Sequence, residues 1–354
     1  MTTDLSEINN SPTLFFIIGR PRSGTTLLRS LLDVHSTVIV PLEYPILLRV
    51  MRKYRQQNFK NIQQKQWLFH LLTSFKTHKY KFYDALGLNE NQLHNLIVHH
   101  HGTLSFQQGF QYFIQCCTSA RLLENPVLLG DKNPVYSFYF QTLMRKFPES
   151  KFLFLIRDPR GQFHSIKRFD FEISNPFLQA ARWKLITKRM LKAHLKFPSR
   201  TLIVRYEDLV ENSESKLEEI CHFLSLDFEL EMLNFHKFRT AYIDEKIGDQ
   251  FKRFHSSLTE PISNSKIDLW KSKLNPREVK KIEFVAGNVM KIISYNTSTV
   301  KTNVVLFFRS LLWRLYTNLM LCLMHSVFIL PPGYRTWVLN FIDKLSRTVY
   351  KRKS

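Results

Sequence analysis

Residues 19–26 read Gly-Arg-Pro-Arg-Ser-Gly-Thr-Thr, a loop dense in hydroxyls and small residues with a cation inside it at Arg22. An apolar run, Leu14 to Ile18, precedes the loop, and Leu27-Leu28-Arg29-Ser30-Leu31-Leu32 follows it. A buried strand feeding such a loop into a helix presents unpaired backbone N–H groups and the positive end of a helix dipole to an anion. In that cradle Gly24 lets the backbone approach a phosphate, Ser23, Thr25 and Thr26 donate hydrogen bonds, and Arg22 neutralises charge. The Gly19-x-x-x-x-Gly24 spacing has the form of a nucleotide triphosphatase loop, but Thr25 stands where that chemistry needs a lysine. The loop therefore points to a phosphate-bearing donor other than hydrolysed ATP.

Further reactive types follow other apolar runs. Lys132 stands in Gly130-Asp131-Lys132-Asn133-Pro134 after Val127-Leu128-Leu129, and Arg157 follows Phe152 to Ile156, with Ser165 eight residues on. Tyr206 follows Thr201 to Val204, and Glu43 follows Thr37 to Val40. A carboxylate near phosphate-binding cations is placed to take a proton from a hydroxyl, and a lysine there can meet developing negative charge. Each residue also has an ordinary reading. Arg157-Asp158-Pro159-Arg160 is a salt-bridged helix entry, Tyr206 a core tyrosine with its hydroxyl at the surface, and Glu43 a loop residue. His35 is a rival base. His94 and His99-His100-His101 have no carboxylate or cysteine spaced with them as metal ligands, and no metal is expected.

Taken together, the loop and the Arg157–Ser165 element resemble the sulfotransferases that use 3′-phosphoadenylyl sulfate (PAPS). The Pro-Arg-Ser-Gly-Thr-Thr form is similar to that of the tyrosylprotein sulfotransferases and their bacterial relatives. The resemblance covers about residues 12–295. It implies that residues 22–26 hold the 5′-phosphosulfate, that Arg157 and Ser165 grip the 3′-phosphate, and that Tyr206 lies near the adenine. It implies Glu43 as base and Lys132 as stabiliser of the transition state, with 3′-phosphoadenosine 5′-phosphate (PAP) as product and no metal. The acceptor side departs from the pattern: Pro41-Leu42-Glu43-Tyr44-Pro45 carries one acid where those relatives carry two, and lacks the Arg that follows. The acceptor hydroxyl is left unnamed. A serine near 256–257, ahead of Trp270, is also expected at the donor, without a choice between the two.

These residues need a frame that brings strand ends to one rim. Strands at 14–18, 37–40, 127–130, 152–156 and 201–204 alternate with helices at about 25–34, 135–147, from 161, 214–224 and 276–293. The fold class is α/β: a P-loop-type three-layer sandwich, its central sheet mostly parallel with helices on both faces, plus a helical C-terminal extension. In such sheets ligands bind at the carboxyl ends of the strands. Residues 1–11 are expected to be disordered and 12–300 to form the sulfotransferase domain, with 46–125 a helical acceptor-side insertion. Residues 301–354 form a basic amphipathic helical extension, with nine Lys/Arg against Asp343. In it the uncharged run 315–330 is too short to span a bilayer, and an apolar stripe from Tyr334 to Leu345 has the pattern of an interfacial helix; a helical hairpin that caps the domain and completes its core is the other reading.

The chain of 354 residues carries a net charge of +22. Such a field draws in a polyanionic donor, an acidic acceptor or an anionic membrane surface. Basic residues are spread along the chain without a zinc-finger or RNP-like motif, which argues against nucleic acid as partner. Four cysteines make no disulfide framework at this length, and the polar N-terminus has no signal-peptide pattern, so the expected location is cytoplasmic, with membrane association through the extension. Two other functions stay open: a P-loop kinase or nucleotide-binding module, and a membrane-surface protein with a vestigial loop.

Overall fold

Leu14 to Ile18 shows no polar alternation, as expected of a strand covered on both faces. In the computed structural model of the protein this run is the middle of β1 (Thr13–Gly19), the central strand of a five-stranded parallel sheet. The structure describes residues 12–44, 47, 58–74, 86–118, 123, 126–169, 172–238, 260–298 and 304–326. The expectations for 1–11, for the serines at 256–257 and for the stripe 334–345 lie outside them. The other strands are β2 (Val38–Ile39), β3 (Asn58–Phe59), β4 (Leu104–Ser105), β5 (Leu128–Lys132), β6 (Lys151–Ile156) and β7 (Thr201–Arg205). The main sheet runs β2-β5-β1-β6-β7.

Its register sets the rim. Ile17 lies beside Lys132, Gly19 beside Leu155, and Ile156 beside Arg205. The chain therefore leaves β1, β5, β6 and β7 at one edge, just before or at Arg22, Lys132, Arg157 and Tyr206.

Successive residues of β1 serve opposite faces, as a period of two requires. Phe16 and Ile18 join a core with Phe152, Phe154, Phe140, Trp183 and Val285. Phe15 and Ile17 join a second core with Leu28, Leu31, Leu153, Leu155 and Leu217. Two cores on one sheet make three layers. The first layer carries α5 (Tyr136–Lys146), α7 (Pro176–Lys196) and α11 (Pro276–Ile292); the opposite layer carries α1 (Thr25–Leu32) and α9 (Ser213–Leu224). Phe16 stacks on Phe152 with ring centroids 5.1 Å apart, and each such buried ring contributes about 1.5–3 kcal/mol.

Between β2 and β5 lie α2 (Ile62–Thr73), α3 (Glu90–Val98) and α4 (Phe106–Gln115). Among the described residues of this stretch, β3 and β4 add a short antiparallel pair to these helices, and two residues per strand are too few to show a period. The helix after β6, α6 (Pro159–Ile166), starts before Gly161 because Asp158 caps it, accepting from Arg160 N at 2.8 Å, with proline in the first turn. Tyr206 opens α8 (Tyr206–Glu211) instead of closing β7. Next come α10 (Leu269–Lys273) and α11, the latter entered through an Asn275–Glu278 capping box. The final described helix, α12 (Val304–Ser326), starts well before the expected apolar run, and its Val304–Met324 stretch of 21 residues is long enough to cross a membrane by length and composition. It nevertheless lies along the domain: Ser310 and Thr317 are buried, and Trp313 and Met324 pack on the first core.

Candidate active site

The loop after β1 is held in a conformation that side chains resist. Arg22 has φ 66° and Gly24 φ 95°. A Cβ on Gly24 would come within 2.3 Å of the Tyr206 ring, so glycine is required both for backbone freedom and for that contact. Ser23, fully buried, donates through Oγ to the Arg20 carbonyl at 2.6 Å. Arg20 itself is buried and serves as a strut. Its guanidinium donates to the Gln179 carbonyl at 2.9 Å, to Gln179 Oε1 at 2.7 Å and to Glu172 at 3.3 Å. Gln162 Nε2 donates to the Pro21 carbonyl at 2.8 Å. Burial lowers the Arg20 pKa to about 10, which leaves it a cation at neutral pH.

The loop and the element after β6 meet directly. Arg22 Nε donates to Ser165 Oγ at 2.9 Å across 143 residues of chain, and its guanidinium lies 4.5 Å over the Phe169 ring. Arg157 Nη1 donates to the Arg22 carbonyl at 3.2 Å, and its guanidinium sits 4.3 Å over the Tyr206 ring. Arg157 Nε is buried with no hydrogen-bond partner among the described residues. Burial, and then the charges of Arg157 and Arg168, lower the Arg22 pKa to about 10. Cations gathered at this mutual cost are relieved by an anion between them.

Neighbours fix the backbone of this cluster. Trp183 Nε1 donates to the Arg157 carbonyl at 2.9 Å, and Asp158 N donates to Glu207 at 3.0 Å. Glu207 also accepts from the Tyr295 hydroxyl at 2.6 Å, and its burial raises its pKa. Arg160, between Asp158 and Glu283, lies 3.9 Å under the Trp270 ring. The salt-bridged reading of this turn thus holds for Arg160 and Asp158, while Arg157 faces the loop.

A second cluster forms at the end of β5. Lys132, 2% exposed, donates through Nζ to Thr26 Oγ1 at 3.0 Å and forms an ion pair with Glu43. Burial lowers its pKa, opposed by the Glu43 charge. Asp131 turns away, accepts from the Tyr136 hydroxyl at 2.6 Å, and is pushed up to about 7 by burial. His35 is not in this cluster. Its Nε2 donates to the Asp227 carbonyl at 2.8 Å and its Nδ1 accepts from Thr37 N at 3.1 Å, which occupies both ring nitrogens at a helix end.

A family model described as the sulfotransferase family matches residues 12–230. The chain belongs to the sulfotransferase family. Protein-tyrosine sulfotransferase 2 of Gallus gallus is 31% identical over 225 residues, 61% of this chain and 52% of that one. Protein-tyrosine sulfotransferase 1 of Danio rerio is 23% identical over 293 residues, 81% of this chain and 74% of that one. The sulfotransferase domain of the Synechococcus PCC 7002 olefin synthase shares the fold, with TM-score 0.54, 22% identity, 84% of this chain and all of that domain covered. The protein is accordingly an enzyme of sulfuryl transfer, and the family's donor is PAPS.

The sequence motifs single out Arg22, Ser23, Gly24, Thr25, Thr26, Glu43, Lys132, Arg157, Ser165 and Tyr206. In this sulfotransferase Arg22, Ser165, Arg157 and Tyr206 form one linked group, and Thr26, Lys132 and Glu43 another. Ser23 faces inward to brace the loop. Arg20, Gln162, Arg168, Gln179 and Trp183 carry no local sequence signal, because their roles depend on partners distant in sequence.

Proposed function

We propose that this enzyme moves the sulfuryl group from PAPS to an acceptor hydroxyl without a metal, leaving PAP. The observation that carries this reading is the meeting of two elements, with Arg22 donating to Ser165 at 2.9 Å, beside the orphaned Nε of Arg157. A ligand with anionic groups at both ends of a nucleoside fits these residues. Residues 22–26 would hold the 5′-phosphosulfate, Arg157 and Ser165 the 3′-phosphate, and Tyr206 the nucleoside between them. When bound, the donor supplies the sulfuryl group. Glu43 takes the proton of the acceptor hydroxyl, and Lys132, steadied by Thr26, stabilises charge on the oxygen released from sulfur.

The acceptor class that the relatives' names favour is peptidyl tyrosine, and the net charge of +22 suits an acid-flanked one. Incubation with sulfur-labelled PAPS and a cell lysate, followed by separation of peptide from lipid and sugar, tests this. Label in tyrosine supports it, and label confined to lipid or sugar replaces the acceptor class. The kinase reading is tested by melting: PAP should stabilise the protein and ATP with magnesium should not.

The same proposal puts the enzyme at an anionic membrane on the cytoplasmic side, through the basic C-terminal segment. Supporting it, α12 exposes Val305, Phe308, Leu312, Leu315, Leu319 and Leu323, recurring at helical spacing, while its other face packs on the domain. A helix so docked lies in the membrane plane.

A further inference from the structure

Glu43 stands in a loop, yet the structure holds that loop at both ends. On one side is a buried ion pair. Arg29 Nη2 donates to Asp33 Oδ2 at 2.9 Å, Arg29 Nε donates to the Val40 carbonyl at 2.6 Å, and Val40 N donates to Asp33 Oδ1 at 2.8 Å. Both backbone polar groups of Val40 are thus taken by side chains of α1 and its cap, with Arg29, Asp33 and Val40 all buried. On the other side, the Tyr44 hydroxyl donates to the Leu72 carbonyl at 2.9 Å, and its ring stacks on Phe113 with centroids 5.0 Å apart.

Thr26, Arg29 and Asp33 are spaced to share one face of α1. The contacts therefore close on themselves: Thr26 to Lys132, Lys132 to Glu43, and from Glu43 along the chain to Val40, then through the ion pair back to the helix that carries Thr26. A buried ion pair is weak evidence for stability, since well-packed apolar side chains often do as well. Here it instead ties two backbone groups to a helix that opens at the donor loop.

We infer that Arg29 and Asp33 are positioning residues that hold the base in register with the donor. The inference rests on the reading of Glu43 as base. A misplacement of about 1 Å can cost about 100-fold in rate, which is the range expected here.

The test is a double-mutant cycle on the full chain, with labelled PAPS as donor and, as acceptor, whatever the wild-type enzyme labels in the lysate. Arg29→Lys keeps the charge beside Asp33 but loses the Nε bond to the Val40 carbonyl. It should lower kcat about 10- to 100-fold while leaving PAP affinity within about twofold, and it should speed amide exchange at Val40. In the Glu43→Gln background the same change should cost almost nothing further, because its effect passes through Glu43. Pro41→Gly, which slackens the loop without touching the ion pair, carries the same cycle should Arg29→Lys fail to fold. An equal loss in both backgrounds, or kcat unchanged by Arg29→Lys or by its Pro41→Gly substitute, overturns the inference while leaving Glu43 as base. Wild-type turnover by Glu43→Gln instead overturns the underlying reading.

Discussion

Lys132 is a buried cation with a carboxylate on one side and a threonine hydroxyl on the other. Glu43→Gln should retain PAP affinity and lose about 10²–10⁴ in turnover, as for removal of a general base. Calorimetric binding together with single-turnover transfer checks both halves. Arg157→Ala and Ser165→Ala should each weaken PAP by about 1.5–3 kcal/mol, the worth of a hydrogen bond to a charged group. Each should cost adenosine 5′-phosphosulfate, which lacks the 3′-phosphate, less affinity than it costs PAP. Gly24→Ala should abolish donor binding, because a Cβ there lands 2.3 Å from the Tyr206 ring at a φ that side chains avoid. These residues were legible because each follows a strand within a short motif. Arg20 was not: it sits inside the same motif, yet its partners are Glu172 and Gln179, and nothing local predicts that it points inward.

At the scale of elements, the parallel sheet could be read from uninterrupted apolar runs, and its register then gathers the strand ends. The short β3–β4 pair and the switch from β7 into α8 at Tyr206 could not be, since neither carries a period. β5 yields an expectation about pH. Buried Asp131 titrates at about 7 in the folded protein against 3.8 for an ordinary aspartate. Between those values the native state binds more protons than the unfolded one, so this group's contribution to stability falls as pH rises from about 4 to about 7 and stays low above. Asp131→Asn keeps an acceptor for the Tyr136 hydroxyl and removes the buried charge. It should melt several degrees higher than wild type at pH 8, with the difference shrinking toward pH 4. Melting curves across that range decide it, and a difference independent of pH would remove the buried charge as its cause.

For the whole molecule, the proposed membrane contact draws on the net charge of +22 and the exposed apolar face of α12. The full chain should float with phosphatidylserine vesicles, be released by salt, and stay behind with phosphatidylcholine alone. Leu312→Glu with Leu319→Glu should abolish flotation and leave PAP binding intact, whereas flotation unaffected by them would show that this face is not the contact. Composition revealed the basic segment, but not the burial of Ser310 and Thr317, which depends on how α12 packs. The claim on which the rest depends is transfer from a donor recognised at both of its phosphate ends. Its most direct measurement is label transfer to a lysate acceptor in EDTA, with sulfur-labelled PAPS set beside labelled adenosine 5′-phosphosulfate and ATP labelled in its γ-phosphate. Label should pass from PAPS alone, with PAP released in step. Equal use of adenosine 5′-phosphosulfate, or transfer only from ATP once magnesium is restored, would contradict the account.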